Sequence, residues 1–187
     1  MTESMETTKA NKFSLGFYMH VLTGMLGAPG RFFKELPDET GYRRSLGFLL
    51  VSSLFLTGAS LTQVHERPLL MAGILLVNAI GMPFVTAGVS FMAMTMFIEK
   101  RVPFQRIFAV YAFSSGVTML ASWIPLFTWI TEPWKWALVS IGMASGCGLN
   151  WKQTILVIGL SILILVLFFW SLTPVILSLR GLIGRAF

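Results

Sequence analysis

Few residues in this chain could act as a nucleophile, as an acid–base pair or as metal ligands, and they are spread apart. His20 lies in the segment before the first apolar span, 45–63, and His65 lies in the loop after it, so the two are expected on opposite sides of that span, which does not suit two ligands of one haem. Cys147 is the single cysteine, so it has no disulfide partner and no second thiol for a metal motif. The chain has no nucleotide-binding loop and no paired catalytic carboxylates. We therefore expect no enzymatic activity, no cofactor and no metal site.

A column of neutral polar side chains offers hydrogen-bonding chemistry inside an apolar segment. Tyr111, Ser115, Thr118 and Ser122 follow i, i+4, i+7 and i+11 spacing, so on a helix they share one face. Asn78 is a further polar residue in the preceding apolar segment. Such faces usually join neighbouring helices, each hydrogen bond contributing about 0.6–2 kcal/mol. The alternatives for this column are a partner interface and a polar cavity.

A small-residue face follows further along the chain. Gly142 and Gly146 form a GxxxG pattern, with Ala144, Ser145 and Gly148 beside it. Small residues at this spacing let a second helix approach the backbone closely. The face either packs inside the protein or contacts another subunit or a second copy of the chain.

The composition indicates the solvent in which these faces fold. Hydrophobic residues make up 55% of the 187 residues and charged residues 12%, about half the share in an average soluble domain. Mean hydropathy is +0.76. The net charge is +6, but the basic residues lie beside apolar segments, which favours anionic lipid headgroups over nucleic acid as their counterpart. The chain is therefore expected to be an integral membrane protein.

Five apolar segments predict an all-α, multi-pass membrane protein. The second segment is nearly thirty residues long and contains Pro83, which offers a kink, while tilt would absorb the excess length. We expect a five-helix transmembrane domain over 45–179, a disordered tail over 1–12 and a C-terminal tail over 180–187. The predicted spans are 45–63, 69–98, 105–130, 134–149 and 153–178.

The positive-inside rule gives an orientation. With five spans, most of the 14 lysines and arginines lie on the same side as the N-terminus. The N-terminus is therefore expected in the cytoplasm and the C-terminus on the opposite side. The expected location is the cytoplasmic (inner) membrane of a bacterium.

The segment before the first span, 13–44, predicts amphipathic interfacial helices. Apolar residues recur every four positions over 13–26, and Pro29 and Pro37 delimit a short second helix. We expect the aromatic residues to sink below the headgroups and the cations to meet phosphates. The alternative is that this face packs on the protein's own spans. The residues expected at the lipid interface are Arg31, Phe32, Phe33, Lys34, Trp134 and Trp136.

Three stretches give the chain a family resemblance. They are "APGRFFKEL" (28–36), "RVPFQRIFAVYAFSSGVTMLASWIPLFTWI" (101–130) and "GLNWKQTILVI" (148–158). Their order and spacing resemble the Yip1 family of multi-pass membrane proteins, in which a "P-x-x-F-F" segment precedes the first span and a later span runs to a "W-I-P" end. The resemblance covers most of residues 20–170.

The resemblance implies a five-helix membrane protein with a cytoplasmic N-terminus and no known enzymatic activity. Eukaryotic members act in vesicle traffic and contact Rab GTPases through a longer cytosolic region. The present chain lacks such an extension and the family's "D-L-Y-G-P" motif, so GTPase binding is not expected. Its compact form is similar to prokaryotic members.

Three functions are compatible with these observations. The first is a non-enzymatic scaffold or accessory subunit of a larger membrane complex, which uses its interfacial helices and a span face as docking surfaces. The second is a small transporter or lipid-handling channel lined by Tyr111, Ser115, Thr118 and Asn78. The third is a membrane-shaping or trafficking factor that acts through its amphipathic helices.

Overall fold

Helices make up almost all of the structure. The computed structural model describes residues 14–37, 42–63, 67–98 and 102–186, with side chains as far as residue 171, residue 125 excepted. Within these ranges the chain forms helices joined by short turns and contains no strand. This confirms the all-α class predicted from the sequence.

The helices are numbered here in chain order. They are α1 (Leu15–Gly27), α2 (Pro29–Glu35), α3 (Tyr42–Leu61), α4 (Pro68–Phe97), α5 (Phe104–Ser122), α6 (Thr128–Ile141) and α7 (Trp151–Ala186). A 3-10 turn, Pro125–Phe127, precedes α6, and a π-helical turn, Gly142–Gly146, follows it.

Three of the described helices are long and apolar enough to cross a membrane. They are Tyr42–Leu61, Pro68–Phe97 and the Trp151–Ser171 part of α7. These helices contain most of the predicted first, second and fifth spans. The second is one continuous helix of 30 residues, which runs through Pro83 without a break.

The third and fourth predicted spans have different boundaries in the structure. α5 ends at Ser122, and α6 already begins at Thr128, so the predicted span 105–130 is divided between two helices. The break falls just before Pro125, and a proline has no amide hydrogen with which to continue the hydrogen bonds of a helix. The sequence pattern missed this boundary because the apolar run continues across it.

α5 is the central helix of the structure. Every side chain from Ile107 to Thr118 is buried, and α5 packs against α3, α4 and α6. Gly116 allows the close approach of α3, since a Cβ there would lie 2.6 Å from the Phe48 ring. A helix enclosed in this way can carry hydroxyl groups that would be unfavourable against lipid.

The two N-terminal helices fold back onto this bundle. Ser14 caps α1 by accepting a hydrogen bond from the Phe17 amide at 3.2 Å. Ala28 separates the helices, and Pro29 starts α2 at a position where its missing amide hydrogen is harmless. The inner face of α1 is buried in the protein, and its Tyr18 hydroxyl lies 3.3 Å from that of Ser52 on α3.

Candidate functional site

A cavity of about 440 Å³ lies between α3, α4, α5, α6 and α7. The polar column predicted on α5 forms one wall of this cavity, and Asn78 of α4 also lines it. The structure thus brings five predicted residues to one site: Asn78, Tyr111, Ser115, Thr118 and Ser122. Aliphatic side chains from the other helices also line the cavity, among them Leu56, Leu75, Val139 and Leu165. The cavity is therefore polar on one wall and apolar on others.

A chain of three hydroxyl groups connects Tyr111 to two neighbouring helices. The hydroxyls of Ser90 on α4 and Tyr111 are 2.6 Å apart, and those of Ser90 and Ser161 on α7 are 2.8 Å apart. Ser161 also donates to the Val157 carbonyl at 2.6 Å. All three hydroxyls belong to buried residues, and their direct hydrogen bonds fix the relative positions of α4, α5 and α7.

The hydroxyls of Thr118 and Ser122 bond to backbone carbonyls of their own helix. Thr118 donates to the Ser115 carbonyl at 3.0 Å, one turn earlier in its own helix. Ser122 donates to the Thr118 carbonyl at 2.8 Å, and its oxygen lies 3.1 Å from the Thr131 hydroxyl of α6. Because these donors are already satisfied, their oxygens remain as acceptors for a molecule in the cavity.

Two charged residues of α6 also line the cavity. The Lys135 ammonium donates to both carboxylate oxygens of Glu132 at 2.7 Å, and it lies 5.6 Å from the centre of the Trp136 ring. From the sequence, Glu132 and Lys135 were expected in loops or at helix ends, and Trp136 at the lipid interface. Trp136 instead lines the cavity and packs on the core, whereas Trp134 stays 45% exposed.

The GxxxG face serves packing inside the chain. A Cβ at Gly142 would lie 2.5 Å from Val110 Cγ1 and 3.1 Å from the Phe33 ring. A Cβ at Gly146 would lie 3.4 Å from Phe33 Cβ. Because the two glycines have no side chains, Phe33 of α2 has room to pack beside them and against α5. Of the two alternatives for this motif, the structure shows packing inside the protein.

The lipid-interface prediction for the Phe pair is wrong. Phe33 is fully buried, and Phe32 is buried with its ring edge-on to Phe113 of α5, 5.6 Å between centres. Arg31 and Lys34 remain exposed on the opposite side of α2. Removing an aromatic face from water is favourable in free energy whether lipid or protein covers it. Here α5 and the π-helical turn cover it.

Arg106 holds α2 in this position, and sequence reasoning counted it only as a loop cation. Its Nε donates to the Gly146 carbonyl at 2.7 Å, and a terminal nitrogen donates to the Leu36 carbonyl at 3.2 Å. Ser161 was also missed, since the apolar run that follows it dominated the pattern. The signal that could have identified it is its position as the one hydroxyl residue in the apolar run 155–170.

Metal chemistry has no support in the described ranges, where no three His, Cys, Asp or Glu side chains are grouped closely enough to hold an ion. The chemistry that the cavity offers is hydrogen bonding by hydroxyl, amide and charged groups beside an apolar surface.

Comparison with known proteins gives one match. The family model of the Yip1 domain matches residues 23–173, which include the C-terminal part of α1, all of α2 to α6 and the apolar part of α7. No curated protein and no solved structure gives a significant match. The matched region covers well over half of the chain and contains the three apolar helices that could cross a membrane. The chain therefore belongs to the Yip1 family of membrane proteins.

Proposed function

We propose that the chain is a non-enzymatic, five-span protein of a bacterial inner membrane that handles lipids. The spans would be α3, α4, α5, α6 with its π-helical turn, and α7, with the N-terminus in the cytoplasm and the C-terminus on the opposite side. The enclosed position of α5 supports its assignment as a span, because its hydroxyl groups avoid contact with lipid tails.

The observation that carries the lipid-handling proposal is the two-sided cavity. Its volume of about 440 Å³ falls within the range of about 300–1,000 Å³ typical of small-molecule sites. A phospholipid has polar and apolar parts, which match the hydroxyl column with its Glu132–Lys135 pair and the leucine side chains. The polar groups would receive the headgroup or ester region, while the leucines would contact an acyl chain.

Filling the cavity tests this proposal. Ala79 lines the cavity, so Ala79→Leu would place three additional carbons inside it. Ala137 is exposed and does not line the cavity, so Ala137→Leu adds the same volume outside. We expect the native protein in reconstituted vesicles to accelerate the movement of a fluorescent phospholipid between leaflets. Ala79→Leu should slow this movement several-fold, and Ala137→Leu should leave it unchanged.

Two outcomes would count against lipid handling. One is a rate no faster than in protein-free vesicles. The other is an equal effect of the two alanine substitutions, since the volume added would then act irrespective of the cavity. Size-exclusion chromatography of each variant before reconstitution controls for loss of the fold.

A scaffold or accessory-subunit role is the second candidate. Gly73, Gly81 and Gly88 share one face of α4, and a Cβ added at any of them would meet no described atom within 4 Å. This face can accept the close approach of a helix from another subunit or a second copy of the chain. It replaces the GxxxG pair as the docking surface, because Phe33 already occupies that pair.

Weighing the gently solubilised native particle tests the second candidate. If another chain docks on α4, the native particle should have a mass above that of one chain. Gly81→Leu should lower the mass to that of one chain. Gly159→Leu is the matched control, since a Cβ at Gly159 on α7 also meets nothing within 4 Å. A strict monomer with no co-purifying protein would remove the scaffold role.

A further inference from the structure

A second cavity, of about 460 Å³, lies between α1, α2 and the start of α3. It is separate from the cavity described above, and no described residue lines both cavities. Phe17 of α1 and Phe32 of α2 contribute aromatic surface, and Leu36 adds an aliphatic part. The titratable side chains among its described lining residues are His20, Arg31, Glu35 and Arg44.

Arg44 is the residue that gives this cavity a chemical preference. Its guanidinium carbon lies 5.2 Å from the centre of the Phe17 ring, which holds the planar group in place. Its Nε is buried and has no hydrogen-bond partner among the described residues. An arginine stays protonated, so a buried N–H without an acceptor is costly and favours an anionic ligand.

The charged groups among the described lining residues make the cavity net positive. Arg31 adds a second guanidinium from α2, and His20 adds an imidazole from α1. Glu35 is the one described carboxylate that lines the cavity, and no ion pair joins it to either arginine within the described ranges. Two guanidinium groups against one carboxylate attract an anion into a partly enclosed space.

We propose that this cavity binds a phosphate-bearing anion, either the headgroup of an anionic phospholipid or a soluble phosphate ester. The planar guanidinium of Arg44 matches two phosphate oxygens in a bidentate arrangement, and Arg31 faces the same space. The aromatic and aliphatic lining accepts the glycerol carbons next to the phosphate. This site is independent of lipid handling in the first cavity. It also differs from the sequence expectation, because Lys34 does not line it and Arg44 does.

Binding to the full-length protein in non-ionic detergent micelles tests the proposal. The probes are short-chain phosphatidylglycerol and sn-glycerol 3-phosphate, titrated by calorimetry. We expect Arg44→Gln to weaken binding of the preferred probe by at least about tenfold, since it removes charge-assisted hydrogen bonds. Arg43→Gln is the matched control, because Arg43 precedes Arg44 on the same helix but is exposed and lies outside the cavity lining.

The outcomes separate the two sources of phosphate. Tighter binding of phosphatidylglycerol identifies a lipid headgroup site, and equal binding of glycerol 3-phosphate identifies a site for soluble phosphate esters. Arg31→Gln should also weaken binding of the preferred probe, in a protein whose helical circular dichroism spectrum is unchanged. This second variant tests the site even if the Arg44 variant has a folding defect. Equal losses for Arg43→Gln and Arg44→Gln, or no binding of either probe, would overturn the proposal.

Discussion

Replacement of Arg106 by methionine is expected to lower the free energy of unfolding by about 2–4 kcal/mol. Its guanidinium donates to the Gly146 carbonyl at 2.7 Å, where the π-helical turn ends. It also donates to the carbonyls of Leu36 at 3.2 Å and Phe33 at 3.5 Å, at the end of α2. Carbonyls at helix ends lack partners within the helix, so Arg106 satisfies groups that would otherwise be unpaired. Methionine keeps the aliphatic stem, and the loss therefore reports on the hydrogen bonds.

Unfolding in a titration with dodecyl sulfate, followed by circular dichroism, measures this effect. Arg106→Lys should lose less than Arg106→Met, because a lysine keeps the charge but not the planar fork of donors. Arg43→Met is the control for removal of an exposed arginine and should change stability by no more than about 0.5 kcal/mol. If Arg106→Met and Arg43→Met were equally stable, the attachment of α2 through Arg106 would have to be abandoned.

Local sequence signals predicted much of the helical framework. Proline positions delimit α2, and long apolar runs correspond to α3, α4 and α7. The spacing on α5 placed Tyr111, Ser115, Thr118 and Ser122 on one face, and all four line one cavity. These features depend on helix periodicity and on the backbone of proline, which act within a few residues and can be read from one segment alone.

The environment of an apolar face could not be predicted in the same way. The Phe32–Phe33 face suits the lipid interface and the protein interior equally well, because the free energy of burial depends on the apolar area removed from water and not on which apolar partner covers it. The choice depends on whether another helix offers a depression of the right shape. Here the depression is made by Gly142, Gly146 and Val110, more than seventy residues away in the chain.

Long-range polar contacts were missed for a related reason. The hydrogen bonds of Arg106 join residues 40 and 70 positions apart, and the bond between Ser90 and Ser161 joins residues 71 apart. No periodicity within one segment records such partners. The polar column on α5 indicated that a partner exists, while its identity depended on which helices become neighbours.

Replacement of Gly142 by alanine is expected to destabilise the protein by about 2–3 kcal/mol through overpacking. The added Cβ would lie 2.5 Å from Val110 Cγ1 and 3.1 Å from the Phe33 ring, distances that require neighbouring atoms to move. Both neighbours are fully buried, Val110 on the central helix and Phe33 on α2, so neither can turn into open space. The gain of up to about 1 kcal/mol from the better helix propensity of alanine is smaller than this cost.

The two glycines of the motif provide a matched comparison for this prediction. At Gly146 the nearest contacts of an added Cβ are 3.4 Å, an ordinary packing distance, so Gly146→Ala should change stability by no more than about 0.5 kcal/mol. Removing the clashing methyl with Val110→Ala should make the Gly142→Ala/Val110→Ala variant more stable than the sum of the single effects predicts. Equal losses for the two glycine variants, or strictly additive effects with Val110→Ala, would show that α2 does not pack between the π-helical turn and α5 as described. The same unfolding titration measures the three single variants and the double variant. Their free energies of unfolding can be compared directly, because each substitution adds or removes no more than two carbon atoms.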